Sequence, residues 1–536
     1  MVAEWDVVIV GFGPGGAVAS SLLGQAGHRV LVIDKAPGPY GQPRMSTLDG
    51  EIARVLQHAS DPREAMLDAI PARGIALFGA DDAPVPPIDW DYRIAGHWSH
   101  YSLHQPNIEA AMTRRIAACR HVALRWGCRA VKIEDGETDA LITIEVSPQG
   151  GGESRTETHR ARYILGFDGA KSFVRESLGI SLEVIHEHSD QWILTDFDAL
   201  RPLPPELQQT QFHMRPERAW FAGPNGANRC RTDVRVLPHE DLTSELSEDK
   251  GYAFLEQHFG VTRADVRLTR RVAYRFRSHI ARSFGKGHVF IGGDAAHAMT
   301  PYMGQGACCA MRDAINIAWK LRLVLDDAVD ASILESYEVE RLPQSRFFVN
   351  GSLYAWKTVN ESDPAAAAAR DAAGRSGGPV RIPIPGLVGG IVRRGPSGDL
   401  TPGAGQLAPQ GRVEMEGREG LLDDLVGFGG QLVSAVPIRD LLGPERLRRL
   451  AELGVHVLHV AGADADGADV IERDDSYRDA WTAFDAVALL ARPDHYLYGC
   501  ARDPQDVVTM VDEFFEALPA ASHAYEEQPI YRRAQA

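Results

Sequence analysis

The start of this chain sets a strand, a glycine-rich turn, a helix, a second strand and an acid in one order. Trp5 to Val10 is a β-branched run suited to a parallel strand that is covered on both faces. Gly11-Phe-Gly13-Pro-Gly15-Gly16 follows at once, and Gly16 opens a predicted helix through about Gly24. Arg29 to Ile33 predicts the second strand, which ends at Asp34. This order predicts an α/β fold whose first βαβ unit binds a dinucleotide.

The residues of this unit have separate predicted roles. Gly11 permits the tight turn, Gly13 lets the backbone approach a pyrophosphate, and Gly16 lets helix and strand pack closely. Asp34, about 20 residues after the glycines, should accept hydrogen bonds from a ribose diol. The alternative for Asp34 is an ordinary surface turn residue. The predicted cofactor site also includes two neighbours of these residues, Gly15 and Lys35.

A second glycine-rich segment, Gly292 to Leu321, predicts the other half of the cofactor site. The apolar run before it predicts a buried strand, and Asp294 follows that strand, where open α/β sheets bind ligands. A helix is predicted from about Ala307 to Val324, and its N-terminus offers free N–H groups to an anion or a polarised carbonyl. The alternative is a strand, turn and helix with incidental glycines. The predicted cofactor contacts here are Gly293, Asp294, Pro301, Gly304, Gln305, Gly306 and Ala307.

A third segment, Tyr163 to Arg175, again carries a strand that ends in Asp168-Gly169 and runs into a helix. By itself it could be any βα turn. Together, the three segments resemble the flavoprotein aromatic hydroxylases of the para-hydroxybenzoate hydroxylase type (class A). Pro43-Arg44 and Gln105-Pro106 also match elements of that family.

The resemblance implies a bipartite FAD site. It places Gly11, Gly13 and Gly16 at the adenosine diphosphate and Asp294 at the ribityl chain. Asp168 belongs to a motif associated with FAD and NAD(P)H. The resemblance also places Arg44 near the flavin and Gln105 in contact with FAD.

Closer kinship is indicated with the branch of 3-(3-hydroxyphenyl)propionate hydroxylase and the aromatic polyketide hydroxylases. The sequence motifs that indicate this kinship lie at Pro39–Arg44, Gly304–Cys308 and Ala404–Gln410. The chain departs from its relatives at Asp34, at Cys308 and at Met45-Ser-Thr47, and the last departure leaves the substrate open.

This resemblance implies an α/β protein with a Rossmann-like, glutathione reductase-type FAD-binding domain, an inserted antiparallel substrate sheet and a thioredoxin-like C-terminal α/β domain. Alternating polar and apolar residues agree with a half-exposed sheet in the middle segment. A Pro- and Gly-rich linker precedes the tail, where short strands and helices alternate. The predicted ranges are 1–181 with 272–395, 182–271 and 400–536.

The resemblance further implies an FAD-dependent monooxygenase that uses O₂ and NADH or NADPH to hydroxylate a phenolic or polycyclic aromatic substrate through a C4a-hydroperoxyflavin. No second Gly-x-Gly-x-x-Gly follows a strand, so the nicotinamide nucleotide should bind transiently on the flavin domain. Deprotonating a phenol raises the nucleophilicity of its ring, so a base near the hydroxyl helps. No motif marks that base; the candidates are Tyr302, Tyr274 and His213. Tyr274 could equally be core packing, and His213 a structural or surface histidine.

The composition of the chain limits the kinds of binding partner that we expect for it. The 536 residues carry a formal net charge of −17, which disfavours nucleic acid. No 18-residue apolar stretch and no signal peptide are visible, which predicts no membrane partner. The six cysteines show no metal spacing, so no metal is predicted, and free thiols suit a cytoplasmic location. The tail is predicted to be structural, with an oligomer contact as one role, so a homo-oligomer is an expectation.

Two other functions stay open from sequence. The same flavin chemistry could insert oxygen into a polyketide as an epoxidase or Baeyer-Villiger-type oxygenase. The chain could also be a flavin-binding protein that has lost turnover. A flavin-dependent halogenase is disfavoured because no Trp-x-Trp-x-Ile-Pro stretch is present.

Overall fold

A computed structural model describes residues 4–147, 153–462 and 467–520. Three large sheets with flanking helices make up this part of the chain. Two ends of the predicted ranges, 1–3 and 521–536, lie outside the described residues. The division of the chain into the predicted domains stays a prediction, although the sheets fall near those ranges.

The first sheet has eight strands and positions the dinucleotide-binding turns. Its centre is parallel: Trp5–Val10 lies between Val30–Asp34 and Arg155–Gly166, and Arg155–Gly166 also pairs with Val289–Ile291. The carboxyl ends of these four strands therefore meet at one edge of the sheet. The other strands are Val122–Trp126, Cys128–Asp135, Ala140–Val146 and Gly285–Lys286.

Two helices pack together beneath this edge. Helix Pro14–Gln25 is buried from Gly15 to Gly24 and contacts helix Gly306–Leu325, which is buried over most of its length. Helix Gln105–Ala117 contacts the first of them from another side. These helices match the sequence expectations to within about two residues, which is the usual scatter of helix ends.

The second sheet has seven strands and covers the same edge from above. Its order is Val266–Tyr274, Gln191–Ala199, Arg229–Val236, Trp220–Pro224, Thr210–His213, Gly74–Phe78 and Pro84–Asp89. It extends beyond the predicted range 182–271 at both ends. Its last two strands come from residues 74–89, and the predicted boundary at 271–272 falls inside strand Val266–Tyr274. Sheet pairing between distant segments leaves no local pattern, so the sequence did not indicate this extension.

The third sheet occupies the C-terminal part. Parallel pairing joins Gly430–Ser434 to Val455–Ala461, and antiparallel pairing joins Gly430–Ser434 to Ala488–Ala491. Helix Pro504–Ala517 is capped by Asp503, whose side chain accepts a hydrogen bond from the N–H of Asp506. The other strands are Arg412–Met415, Arg418–Leu421, Val470–Glu472 and Leu497–Ala501.

The remaining elements complete the described chain. No helix within the described ranges combines the length and the apolar character that crossing a bilayer requires. The remaining α-helices are Gly50–Ala59, Pro62–Ala65, Phe173–Ser177, Leu242–Glu245, Glu248–Phe259, Ser336–Val359, Pro364–Arg375, Leu422–Val426, Arg439–Glu452 and Ser476–Phe484. Short strands are Thr47–Asp49, Ile70–Pro71, Arg93–Ile94, His97–Trp98, His100–Ser102, Leu182–His186, Ser278–Ala281 and His297–Ala298. The 3₁₀ turns are Pro205–Gln208, Gly293–Ala295, Pro301–Met303 and Ala331–Glu335.

Buried polar contacts join the C-terminal part to the helices of the first sheet. The guanidinium of Arg492 donates to Glu340 at 2.7 Å, and both side chains are fully buried. The hydroxyl of Tyr496 donates to a carboxylate oxygen of Glu51 at 2.8 Å. Because a buried charge without its partner is costly, these contacts make the third sheet part of the stable fold.

Candidate active site

A single cavity of about 1120 Å³ runs between the carboxyl edge of the first sheet and the inner face of the second. Its size exceeds that of most small-molecule pockets, so it has room for a cofactor and a substrate together. It brings together most of the residues predicted from sequence: Gly11, Gly13, Gly15, Asp34, Lys35, Arg44, Gln105, Asp168, Tyr274, Gly293, Asp294, Pro301, Tyr302, Gly304, Gly306 and Ala307. Gly16, Gln305 and His213 do not line it.

The first glycine turn has the shape of a pyrophosphate cradle. A Cβ atom on Gly16 would lie 2.0 Å from the carbonyl oxygen of Gly11, so Gly16 serves helix packing and not the cavity wall. A Cβ on Gly13 would meet no atom within 4 Å. Helix Pro14–Gln25 begins at Gly13 without a side-chain cap, which leaves its first N–H groups free for an anion.

Asp34 closes this turn from the next strand. One of its carboxylate oxygens accepts from the N–H of Phe12 at 2.8 Å, and the other accepts from the N–H of Ala36 at 2.8 Å. The carboxylate is thereby held at the cavity wall. A ribose diol is the ligand that we expect there.

Asp168 lies at the neighbouring strand end. Its carboxylate accepts from the hydroxyl of Ser172 at 2.5 Å and from the N–H of Val174 at 3.1 Å. Burial raises the pKa of Asp168, and these hydrogen bonds oppose the rise. The side chain therefore organises the start of helix Phe173–Ser177 beside the cavity.

Asp294 faces the cavity from the second glycine-rich segment. Protein surrounds it closely enough that burial raises its pKa, although the side chain remains exposed to the cavity. The turn itself is anchored by Asp313, which accepts from the N–H of Gly293 at 2.8 Å and pairs with His297 at 2.7 Å and Arg341 at 2.8 Å. Asp313 was not among the sequence candidates, because its role depends on contacts between separate elements.

Gln305 departs from its predicted place. Its side-chain oxygen accepts from Arg312 at 2.9 Å, and the side chain is buried beneath the turn. Arg312 in turn pairs with Asp49 at 2.6 Å and Glu51 at 2.7 Å. The side chain of Gln305 is thus a support for the turn, and direct cofactor contact by that side chain is not what the geometry favours.

Gln105 and Arg231 hold the Pro43–Arg44 segment against the cavity. The side-chain oxygen of Gln105 accepts from the N–H of Arg44 at 2.9 Å and from that of Met45 at 2.7 Å. Arg231, on the second sheet, donates to the carbonyl oxygens of Arg44 at 2.8 Å and Pro43 at 2.5 Å. The guanidinium of Arg44 stacks on the ring of Tyr40 at 3.9 Å and lines the cavity.

The far end of the cavity is an aromatic chamber. Tyr302 stacks on Phe212 at 5.5 Å between ring centres and meets Trp192 and Phe276 edge-on at 5.8 Å each. The hydroxyl oxygen of Tyr302 accepts from Asn360 at 2.9 Å. Burial raises the pKa of both Tyr302 and Tyr274 well above the usual tyrosine range, so neither is an anion near neutral pH.

His213 lies on the other face of the second sheet. Successive side chains of a strand point to opposite faces, and its neighbour Phe212 lines the cavity. The imidazole stacks on Trp220 at 3.6 Å and bonds to Asp82 at 3.2 Å. Burial lowers the pKa of His213 to about 4. The geometry therefore gives a structural role to His213 and no support to the catalytic one.

Asp233 is a cavity residue that was not among the sequence candidates. It lies between Arg231 and Arg235 on strand Arg229–Val236, and it lines the aromatic end of the cavity. The sequence Arg-Thr-Asp-Val-Arg at residues 231–235 could have indicated Asp233 in advance. Its three charged residues occupy alternate positions of a central strand and therefore share one face.

One cluster away from the cavity has ligand types suited to a metal. His58, Asp423 and His495 are buried with their ligand atoms within 4.8 Å of one another. Arg54 donates to both oxygens of Asp423, at 2.7 and 3.0 Å, and adds a positive charge beside the cluster. We therefore assign no metal to it.

The residues around the cavity fit a flavin dinucleotide. A helix N-terminus without a side-chain cap and the carboxylates of Asp34 and Asp294 all line the same cavity. Residues 4–352 match the family described as FAD binding domain. The chain belongs to the FAD binding domain family. Residues 405–517 also match the family described as HcaD C-terminal domain.

This flavoprotein is similar to curated hydroxylases along nearly its whole length. It is 28% identical over 530 residues to a probable NADH-specific resorcinol 4-hydroxylase of Rhodococcus jostii (strain RHA1), covering 96% of this chain and 95% of that protein. It is 28% identical over 528 residues to a 3-(3-hydroxy-phenyl)propionate/3-hydroxycinnamic acid hydroxylase of Mycobacterium sp. (strain JLS), covering 92% of this chain and 89% of that protein.

Solved structures share its fold. Aklavinone-11 hydroxylase, in a ternary complex with FAD and aklavinone, superposes with a TM-score of 0.76 at 21% identity over 96% of this chain and 100% of that one. The anhydrotetracycline hydroxylase OxyS from Streptomyces rimosus gives a TM-score of 0.71 at 20% identity over 96% and 99%. The predicted fold class and the resemblance to class A flavoprotein aromatic hydroxylases are confirmed.

Proposed function

We propose that this flavoprotein is an FAD-dependent monooxygenase that uses NADH and O₂ to hydroxylate a phenolic aromatic ring. One observation carries the proposal: a single cavity joins the dinucleotide cradle at Gly13 to the aromatic chamber around Tyr302. A phenolic ring in that chamber would lie next to the flavin end of the cofactor. The names of the curated relatives support a monocyclic phenol as the substrate class.

Bound FAD would supply the redox chemistry, taking electrons from the nicotinamide and delivering one oxygen atom of O₂ as an electrophile. The protein must exclude water and hold the ring within about 3–3.5 Å of the reacting atom. Trp192, Phe212 and Phe276 present apolar surface for both tasks. NADH is favoured over NADPH by the name of the first relative alone.

The assignment of individual residues belongs to the same proposal. The Gly13 turn and Asp34 would hold the adenosine diphosphate, Asp294 would hold the ribityl chain, and Tyr302 and Tyr274 would contact the substrate. The N–H groups at Gly306 and Ala307 would face the ring of the flavin, since a Cβ on Gly306 meets no atom within 4 Å.

Substrate-stimulated NADH oxidation tests the function. The purified yellow protein is mixed with NADH or NADPH and a panel of monocyclic and fused-ring phenols, under ¹⁸O₂. We expect a monocyclic phenol to accelerate NADH oxidation and to gain one ¹⁸O atom in the product. A protein that keeps FAD but shows no stimulation with any compound would instead be a flavin-binding protein without turnover. Oxygen inserted elsewhere than a ring C–H bond would favour the epoxidase or Baeyer-Villiger alternative.

The cellular compartment and the oligomeric state of the protein are proposed on separate grounds. The six cysteines are all unpaired thiols, and five are buried, which supports a reducing compartment such as the cytoplasm. A homo-oligomer remains a prediction. Cell fractionation and the mass of the protein in solution test the two points.

A further inference from the structure

Asp233 is a half-buried carboxylate in the wall of the aromatic chamber, and one of its two oxygens has no partner within the described ranges. Its Oδ1 atom has no hydrogen-bond partner among the described residues. Its cross-strand neighbours, Leu194 and Phe221, also line the cavity and present apolar surface on both sides. A buried polar atom without a partner costs free energy, so a carboxylate held in this way in a cavity wall is stabilised when it takes up a proton from a ligand.

The position of Asp233 along its strand is equally specific. Arg231, two residues before it on the same face, touches the carbonyl oxygen of Arg44 in the segment beside the flavin site. Alternate residues of a strand are separated by about 6.6 Å, so Asp233 lies one such step from the cofactor end of the cavity. A ring whose hydroxyl meets Asp233 would therefore lie close to the cofactor end of the cavity.

The surrounding charges can balance one negative charge at this place. The ionisable groups that face Asp233 are Arg231 on its own strand, Asp196 on the adjacent strand, Arg270 and Tyr274 on the strand beyond, and Tyr302 below. Asp196 pairs with Arg231 at 2.7 Å and lies 3.7 Å from Arg270. Two guanidinium groups against one carboxylate leave a single positive charge for Asp233 and the ligand to share.

We propose that Asp233 is a catalytic residue that accepts the hydroxyl proton of the phenolic substrate. Desolvation in the apolar wall raises the pKa of Asp233 to about 7, which suits a base that works near neutral pH. The inference rests on the proposed function and goes beyond it by naming the residue that activates the ring. It also replaces His213, and it leaves Tyr274 and Tyr302 as groups that orient the ring.

The proton balance is simple. The substrate O–H bond breaks, its proton forms an O–H bond with Asp233, and the electron pair stays on the phenol oxygen and enriches the ortho and para carbons. NADH supplies a hydride and solvent supplies a proton to O₂; one of its oxygen atoms bonds to such a carbon as a hydroxyl, and the other leaves as hydroxide. That carbon then releases its hydrogen as a proton, which converts the hydroxide to water. The first oxygen then recovers its proton from Asp233, which regenerates the carboxylate and an aromatic diol.

The test compares Asp233→Asn with the holoenzyme. The amide has the same shape but cannot accept a proton. For the phenol that best stimulates the wild type, we expect the hydroxylation rate at pH 7–8 to fall by about a hundredfold. We expect FAD content and the rate of flavin reduction by NADH without substrate to stay unchanged. We expect kcat/KM of the wild type to rise with pH near pH 7, and we expect Asp233→Asn to lack this rise.

A matched control is Asp82→Asn. Asp82 is a carboxylate bonded to His213 on the outer face of the same sheet, and its φ of 58° suits asparagine. This variant should keep both the rate and the pH profile. A wild type that hydroxylates phenols while Asp233→Asn keeps its rate and its pH profile would overturn the role of Asp233 alone. A wild type that hydroxylates no phenol would overturn the proposed function, and this inference with it.

Discussion

Arg231 donates from the second sheet to the carbonyl oxygen of Arg44 at 2.8 Å, and so holds this sheet against the Pro43–Arg44 segment beside the cavity. The same guanidinium pairs with Asp196 at 2.7 Å, and both side chains are almost fully buried. A movement of this sheet would therefore displace the backbone of Arg44 as well. Two variants distinguish the contribution of this contact to the stability of the fold from its contribution to FAD binding.

We expect Arg231→Met to lower the free energy of unfolding by about 3–5 kcal/mol, because Asp196 is left as a buried charge whose one remaining cation is Arg270 at 3.7 Å. Adding Asp196→Asn should recover much of that loss by removing the charge. Affinity for FAD should stay reduced in both variants, since neither holds the carbonyl oxygens of Pro43 and Arg44. Chemical denaturation and FAD titration measure the two quantities. Full recovery of FAD affinity in the double variant would contradict the role of Arg231 in holding the Pro43–Arg44 segment for FAD binding.

Arg44→Ala should slow the reduction of bound flavin by NADH. The side chain lines the cavity and makes no salt bridge within the described residues, so its charge is available to a ligand. Arg93→Ala is the matched control, because Arg93 also stacks on an aromatic ring, Trp98, at 4.2 Å but lies outside the cavity. Anaerobic stopped-flow reduction checks both variants. Equal reduction rates in wild type and Arg44→Ala would remove Arg44 from the site.

Gly13→Ala and Gly16→Ala should fail in different ways. The methyl group on Gly16 would overlap the carbonyl oxygen of Gly11 at 2.0 Å, which forces the first strand and helix apart and lowers the melting temperature of the apoprotein. The methyl group on Gly13 meets no protein atom within 4 Å, so the apoprotein should melt as the wild type does while binding FAD more weakly. Thermal unfolding and flavin fluorescence read out the difference. Identical behaviour of the two variants would show that the turn is not a cradle.

Deleting the chain after Pro402 should cost solubility or assembly. The deletion strips Glu340 of Arg492, Glu51 of Tyr496 and Arg54 of Asp423, and all of these side chains are buried. In the full chain, Arg492→Met should destabilise strongly, whereas Arg448→Met, at an exposed ion pair, should change stability by at most about 1 kcal/mol. Full activity and an unchanged number of subunits in solution after the deletion would show the tail to be dispensable.

Asp233 makes a prediction about pH and stability that is separate from turnover. Its pKa of about 7 lies above that of an aspartate in the unfolded chain, so the native state binds the extra proton between about pH 4 and pH 7. The contribution of this group to stability is therefore present at low pH and is lost as pH rises through 7. Relative to the wild type, Asp233→Asn should become more stable from pH 5 to pH 8, as measured by denaturant unfolding. A difference that does not change with pH would mean that Asp233 titrates normally.

Local order along the chain made the cofactor half of the site predictable. Gly11, Asp34, Asp168 and Asp294 each follow a strand, and strand ends of a parallel sheet meet at one edge. The substrate half was not predictable in the same way. Asp233 and Arg231 are of interest because strand Arg229–Val236 lies opposite the Pro43–Arg44 segment, and His213 points to the outer face of the same sheet, away from the cavity. A slip of one residue in strand register would reverse both statements.

By itself the sequence determined an FAD-binding α/β protein, and it predicted the residues of a dinucleotide-binding turn. These depend on backbone conformation at glycines and on short-range spacing, both of which are written locally. Only the tertiary structure decided that Asp233 lines the aromatic end of the cavity, that the side chain of Gln305 bonds to Arg312 beneath the turn, and that residues 74–89 complete the second sheet. Those features depend on contacts between segments that are far apart in the chain, where burial and charge balance exist only after the sheets have packed together.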